Sequence, residues 1–142
     1  MPQSLFILEA LLVVLAVSVP IWAIFWGGTA ERTSAIIFAS ATAISKLVPL
    51  FVKPSHAGTI FLTLDGVMAL GFLILALVYN HLWIALMMFT MAGFFSIHAF
   101  YEMTNRDLDP TFALLSNLAT ILLLASLAIG VWTSRQRKID EA

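Results

Sequence analysis

Five long apolar runs constrain this chain more than any other feature. They cover Leu5–Trp26, Ser34–Val52, Gly58–Asn80, Leu82–Tyr101 and Thr111–Trp132. Each has the roughly 20 residues that a helix needs to cross the hydrocarbon of a bilayer. Hydrophobic side chains make up 61% of the 142 residues and charged ones only 11%. A soluble domain of this length cannot enclose so much apolar surface, so part of the solvent must be lipid. The expected fold is an all-α, polytopic transmembrane bundle of five spans in one domain, with residues 136–142 as a tail.

The connections carry turn chemistry. Gly27-Gly28-Thr29 breaks the first helix, with Thr29 placed to cap the second. Lys53-Pro54-Ser55 ends the second, because proline cannot continue the hydrogen-bond ladder. Asn80-His81 leaves almost no loop, so spans three and four form a tight antiparallel hairpin. Asp109-Pro110 reads as an N-cap followed by a first-turn proline. The first run lacks a basic leader segment and carries Glu9, so it is expected to remain in the mature protein. The second contains Lys46 and Pro49. The alternative is therefore four spans with a re-entrant or interfacial second helix.

Two signals favour five. Arg135, Arg137 and Lys138, joined by Arg32, place the C-terminus in the cytoplasm and the N-terminus outside. Trp22, Trp26, Tyr79, Trp83 and Trp132 then fall at the cytoplasmic end, as a single belt of interface anchors.

Few polar side chains interrupt the spans: Glu9, Lys46, Asp65, His98 and Asn117, with Glu102 at a helix end. A charge at a helix centre costs on the order of 3 kcal/mol on insertion scales, so each needs a partner or access to water. Five spans put them in a common outer layer, with Asp65 about seven residues, or roughly 10 Å, into the third. Ala35, Ala39 and Ala43 recur every four residues as a helix-packing stripe, and Lys46 continues it, which aims the lysine inward. Lys46–Asp65 is the preferred ion pair, with His98 as the other candidate partner of Asp65. Glu102 lies within one turn of His98. A carboxyl left over beside a histidine can exchange protons near neutral pH. The same layer also serves simply to hold helices together, since lipid provides little hydrophobic drive for their association.

His56 and His81 read as solvated loop residues, and no metal site is expected from so few histidines. The chain has no cysteine, which excludes disulfides and thiolate chemistry. Its net charge of −1 leaves no basic stripe for nucleic acid. No zinc-protease, nucleophile-elbow or phosphate-loop motif occurs, so nothing points to an enzyme.

Gly27-Gly28-Thr29-Ala30-Glu31-Arg32 follows an apolar helix ending in Trp26. Asp65 then falls in the third helix, Trp83 follows a short turn, and His98 follows an aromatic run. In these features the chain resembles a family of small bacterial integral membrane proteins with a G-G-x-x-E-R loop and a later intramembrane Asp and His. The resemblance spans most of the chain. It implies a bacterial inner-membrane setting and carries no function.

With almost no extramembrane mass, the usable surface is the helix faces. The first expectation is an accessory or assembly subunit of a larger inner-membrane complex, with membrane lipids and other integral membrane proteins as partners and no cofactor. A homo-oligomeric proton or small-solute carrier working through the Glu9/Lys46/Asp65/His98 layer is the alternative. A small quinone- or lipid-binding membrane enzyme subunit using Asp65 and His98 is the third.

Overall fold

The structure is a computed structural model. It describes residues 3–106 and 109–140, with side chains described for all of these except 3–9, 54, 55, 137, 138 and 140. The described residues form five helices: α1 Gln3–Trp26, α2 Thr29–Phe51, α3 Pro54–Tyr79, α4 Leu82–Met103 and α5 Pro110–Asp140. Four of them are long and apolar enough to cross a membrane, over Thr29–Phe51, His56–Tyr79, Leu82–Met103 and Pro110–Gln136. α2, doubtful from its sequence, is among the four. In α1 the run described in side-chain detail, Ala10–Trp26, is shorter. Only 17% to 28% of each spanning window is buried inside the protein. The remaining apolar surface faces outward, in amounts that lipid tolerates and water does not.

The helices run longer than the apolar runs. α2 starts at Thr29 rather than Ser34, α3 at Pro54 rather than Gly58, and α4 continues to Met103. α5 absorbs most of the expected tail by continuing to Asp140. Helical hydrogen bonding does not stop where hydrophobicity does, so polar first and last turns stay helical. One consequence is that Asp65 lies about 16 Å from the start of its helix, deeper than the sequence suggested.

Successive helices alternate in direction. All five helices form one closed ring of neighbours in chain order, with α1 seated between α2 and α5 and only a light contact between α2 and α5. The packing follows seams of alternating three- and four-residue steps, the 3.5-residue repeat of left-handed bundles. On α2 the seam is Ser34, Phe38, Ala41 and Val48. On α3 it is Asp65, Met68, Phe72, Leu75 and Tyr79. On α4 it is Ile84, Met87, Met91, Phe94, His98 and Tyr101. Phe72, Ile84, Met87, Leu127 and Val131 are fully enclosed.

This geometry corrects the alanine stripe. Ala35 is buried and Ala39 half-buried, but Ala43 is exposed. At 3.6 residues per turn Ala43 lies about 180° from Ser34. A strict four-residue step drifts off the seam. Lys46 sits about 120° from Ser34 on the same count and is exposed rather than directed inward.

The turns use the expected residues with two changes. Gly28, rather than Thr29, is the N-cap of α2. His81 is not a free loop residue: it is the N-cap of α4, its carbonyl accepting from the Ile84 and Ala85 N–H groups. Its ring stacks between Tyr79 and Trp83, with centroids 6.5 and 6.3 Å away. Asn80 closes the hairpin in the left-handed region, at φ 49°. His56 is exposed in the first turn of α3 rather than in a loop. Of the expected interface anchors, Trp26 and Trp132 are exposed, whereas Trp83 is buried and packs inside the bundle. Its indole lies where a Cβ on Gly130 of α5 would stand, 2.7 Å from the nearest ring atom.

At the opposite end Asp109 caps α5 as its sequence predicts. Its Oδ1 accepts from the Phe112 backbone N–H at 2.9 Å and from the Tyr101 hydroxyl at 3.0 Å. Arg106 donates to Oδ2 at 3.1 Å and lies over the Tyr101 ring. The Phe112 N–H above all, aided by the Tyr101 hydroxyl and the Arg106 charge, holds the Asp109 carboxyl below its ordinary value of 3.8, and desolvation, second in size only to the Phe112 bond, opposes it.

Two predictions follow from these contacts. Gly130→Ala forces its new methyl into the Trp83 ring, an overpacking that costs about 1–3 kcal/mol. Gly93→Ala, where a Cβ meets nothing within 4 Å, leaves stability unchanged or raises it; thermal unfolding of the two variants in detergent measures the contrast. Because the folded carboxyl is the stronger acid, Asp109 stabilises the fold above its ordinary value of 3.8 and loses that contribution as pH falls through the lowered one. Asp109→Asn should therefore lower Tm at neutral pH and flatten its decline in that acid window.

Candidate functional site: an aspartate–histidine couple between α3 and α4

The tight turn at Asn80-His81 fixes α3 and α4 side by side in antiparallel register. Near the far end of this hairpin the two seams each place one polar residue, Asp65 on α3 and His98 on α4. A Cβ on Gly66 would stand 3.1 Å from the Phe95 ring. That close approach of the two helices brings the pair together, with Asp65 Oδ2 and His98 Nδ1 2.7 Å apart. The carboxylate can only accept while ionised, so Nδ1 then carries the proton and Nε2 is the acceptor nitrogen when the ring is neutral.

Aromatic rings enclose the imidazole. Phe94 lies one turn before it on α4, at 6.1 Å between centroids, and Phe112 reaches it from α5 edge-on at 5.2 Å. The His98 side chain is 6% exposed and that of Asp65 16%. Nε2 makes no hydrogen bond to a described residue, and it is not among the fully buried atoms that lack one. The couple is thus largely shielded, the histidine more than the aspartate.

One turn nearer the membrane surface, Thr59 of α3 donates from its hydroxyl to Glu102 Oε1 at 3.2 Å. Gly58 makes room for that carboxylate, since a Cβ there would stand 2.5 Å from Oε2. Glu102 is therefore drawn across to α3 and does not bond to His98.

Of the expected polar layer, the structure brings together Asp65 and His98, with Glu102 adjacent. Among the described residues Lys46 forms no ion pair. The preferred Lys46–Asp65 pair is replaced by Asp65–His98. Lys46 lies on an exposed face about 7 Å from the end of α2, within reach of headgroups for a flexible ammonium. Asn117 is half-buried on α5. The side chain of Glu9 lies outside the described residues. Among the described residues no three His, Asp or Glu side chains converge on a common point for a metal ion. Sequence reasoning missed Thr59, Phe112 and Tyr101 as companions of the couple. The 3.5-residue seam through His98 was the available signal, because it makes Asp65 and His98 facing core positions of one hairpin.

Asp65→Leu or His98→Leu alone should destabilise the protein by about 3–5 kcal/mol, because the partner is left buried and uncompensated. The double variant should lose much less, and Lys46→Met should stay within about 0.5 kcal/mol of the parent. A double-mutant cycle on unfolding in detergent checks all three values.

No family model matches the chain, and neither a curated protein nor a solved structure matches it.

Proposed function

We propose that the chain is a subunit of a bacterial inner-membrane assembly that takes up and releases a proton at the Asp65–His98 couple inside the bilayer. The 2.7 Å contact between carboxylate and imidazole, held in an otherwise apolar seam, carries this reading. A carboxylate beside a neutral imidazole bears one negative charge. One added proton makes the pair neutral overall, as imidazolium–carboxylate or as imidazole–carboxylic acid. In a medium of low polarity the single charge is costly and the neutral pair is not. The couple can therefore hold one proton between carboxylate and imidazole, with the second ring nitrogen as the remaining acceptor. Among the described residues, the neighbouring titratable groups at this end include Glu102, His56, Lys53, Lys46 and Arg106, all exposed, with the half-buried Asp109 and buried Tyr101. Of these, the exposed Glu102 and His56 reach water and can pass protons on.

The near absence of extramembrane mass supports a role alongside other membrane proteins. The basic residues Arg135, Arg137 and Lys138 support a cytoplasmic C-terminus.

Infrared difference spectra of the reconstituted chain across a pH titration test the couple directly. A carboxyl band that appears on acidification, is lost in Asp65→Asn and shifts in pH in His98→Gln is the expected result. A band that persists in Asp65→Asn assigns the titration to another carboxyl and overturns the proposal. Mild-detergent purification tests the assembly: unrelated membrane chains should co-purify, whereas copies of this chain alone would point to a self-contained carrier.

A further inference from the structure

Phe112, the ring that lies edge-on against His98, stands in the first turn of α5 and is itself half-buried. The first turn of a helix has no intrahelical partners for its N–H groups, and it frays unless something else binds them. Here Asp109 Oδ1 accepts from the Phe112 N–H at 2.9 Å and from the Tyr101 hydroxyl of α4 at 3.0 Å. One carboxylate oxygen thus ties the backbone of the covering residue to the helix that carries the histidine. The Phe112 and Tyr101 rings also meet, with centroids 5.1 Å apart. Arg106, past the end of α4, completes the arrangement by donating to Oδ2 at 3.1 Å and lying over the Tyr101 ring at 5.2 Å. Tyr101 follows His98 by three residues, so the two are neighbours on one face of α4.

The cover on His98 is therefore fastened by polar groups at the end of the bundle, and Arg106 among them is exposed. Such a fastening opens at lower cost than the apolar seams, because its groups regain hydrogen bonds to water when they part. Phe72, Ile84 and Met87, fully enclosed in the core, gain nothing comparable. We propose that Tyr101, Asp109 and Arg106 form a latch that positions Phe112 over His98. Opening the latch, with the first turn of α5, uncovers the imidazole while the rest of the bundle stays closed. Tyr101 and Asp109 are positioning residues, acting on the histidine through Phe112. The part of the latch in proton exchange rests on the couple being a proton site; the covering of His98 does not.

Diethylpyrocarbonate, which acylates a neutral imidazole nitrogen within reach of solvent, tests the latch on the full chain in detergent at constant pH, with adducts located by mass spectrometry. His56 is exposed and serves as the internal reference. In the parent, His98 should react far more slowly than His56. Tyr101→Phe keeps the ring and removes only the hydroxyl. It should raise the His98 rate about tenfold, as expected for one lost hydrogen bond to a charged group. Asp109→Ala removes both bonds to Oδ1, and Phe112→Ala removes the cover itself; each should raise the rate at least as far. Gly130→Ala, which disturbs packing against Trp83 at the opposite end of the hairpin, should leave the ratio of His98 to His56 at its parent value. The proposal is overturned if parental His98 already reacts as fast as His56, or if Tyr101→Phe and Asp109→Ala leave its rate unchanged. It is equally overturned if Gly130→Ala raises the rate as much as they do, since general loosening then accounts for the exposure. An Asp65 carboxyl band that fails to titrate removes the proton-site reading alone and leaves these rates as they stand.

Discussion

Lipid is as apolar as leucine, so two helices gain little from hiding leucines against each other inside a bilayer. What holds such helices together is close fit and the polar contacts made along the line of fit. In this protein that line is a 3.5-residue seam, and it organises the whole molecule. Through α4 it runs from Ile84 to Tyr101, passing Met87, Met91, Phe94 and His98. Through α3 it runs from Asp65 to Tyr79. The aspartate and histidine stand where methionine or phenylalanine stand elsewhere on the same seams. Their meeting follows from the packing register, and the two-residue turn at Asn80-His81 sets that register.

The hairpin has different requirements at its two ends. Near the turn, Trp83 presses onto a residue without a side chain and the fit is tight. Towards the other end the same seams admit a polar pair, and rings from two helices shield it. A buried ion pair adds little to stability compared with well-matched apolar groups. Methionine and phenylalanine at positions 65 and 98 would satisfy the packing.

Helix number and the principal turns were legible because they depend on local properties: run length, Gly27-Gly28, Pro54, Asn80 and Asp109-Pro110. The capping role of Asp109 is visible in the dipeptide itself. The polar pairing was harder because it depends on azimuth. A stripe of small residues at four-residue steps, Ala35/Ala39/Ala43, looked like a contact face, and it carried Lys46 inward with it. The contacts use alternating steps of three and four, so the true face of α2 lies elsewhere and Lys46 faces outward. Counting residues along His98 on that repeat selects Asp65 as the facing position without any coordinates. Thr59 and Phe112 remain beyond such counting, because Thr59 lies off the seam of α3 and Phe112 belongs to a third helix whose register the hairpin turn does not set.

The ring of helices also has an order in time. Chains emerge from the ribosome N-terminus first, and elements with distant partners must wait for them. α5 is the neighbour of α1, of α2 and of α4. Until it arrives, α1 to α4 form an open row, with the α3–α4 hairpin already able to close on its own short turn. The aspartate and histidine can therefore meet before Phe112 covers them. The arrival of the last helix adds the edge-on ring that completes their cover, and a chain truncated before Pro110 would keep the couple and Phe94 but lose that ring.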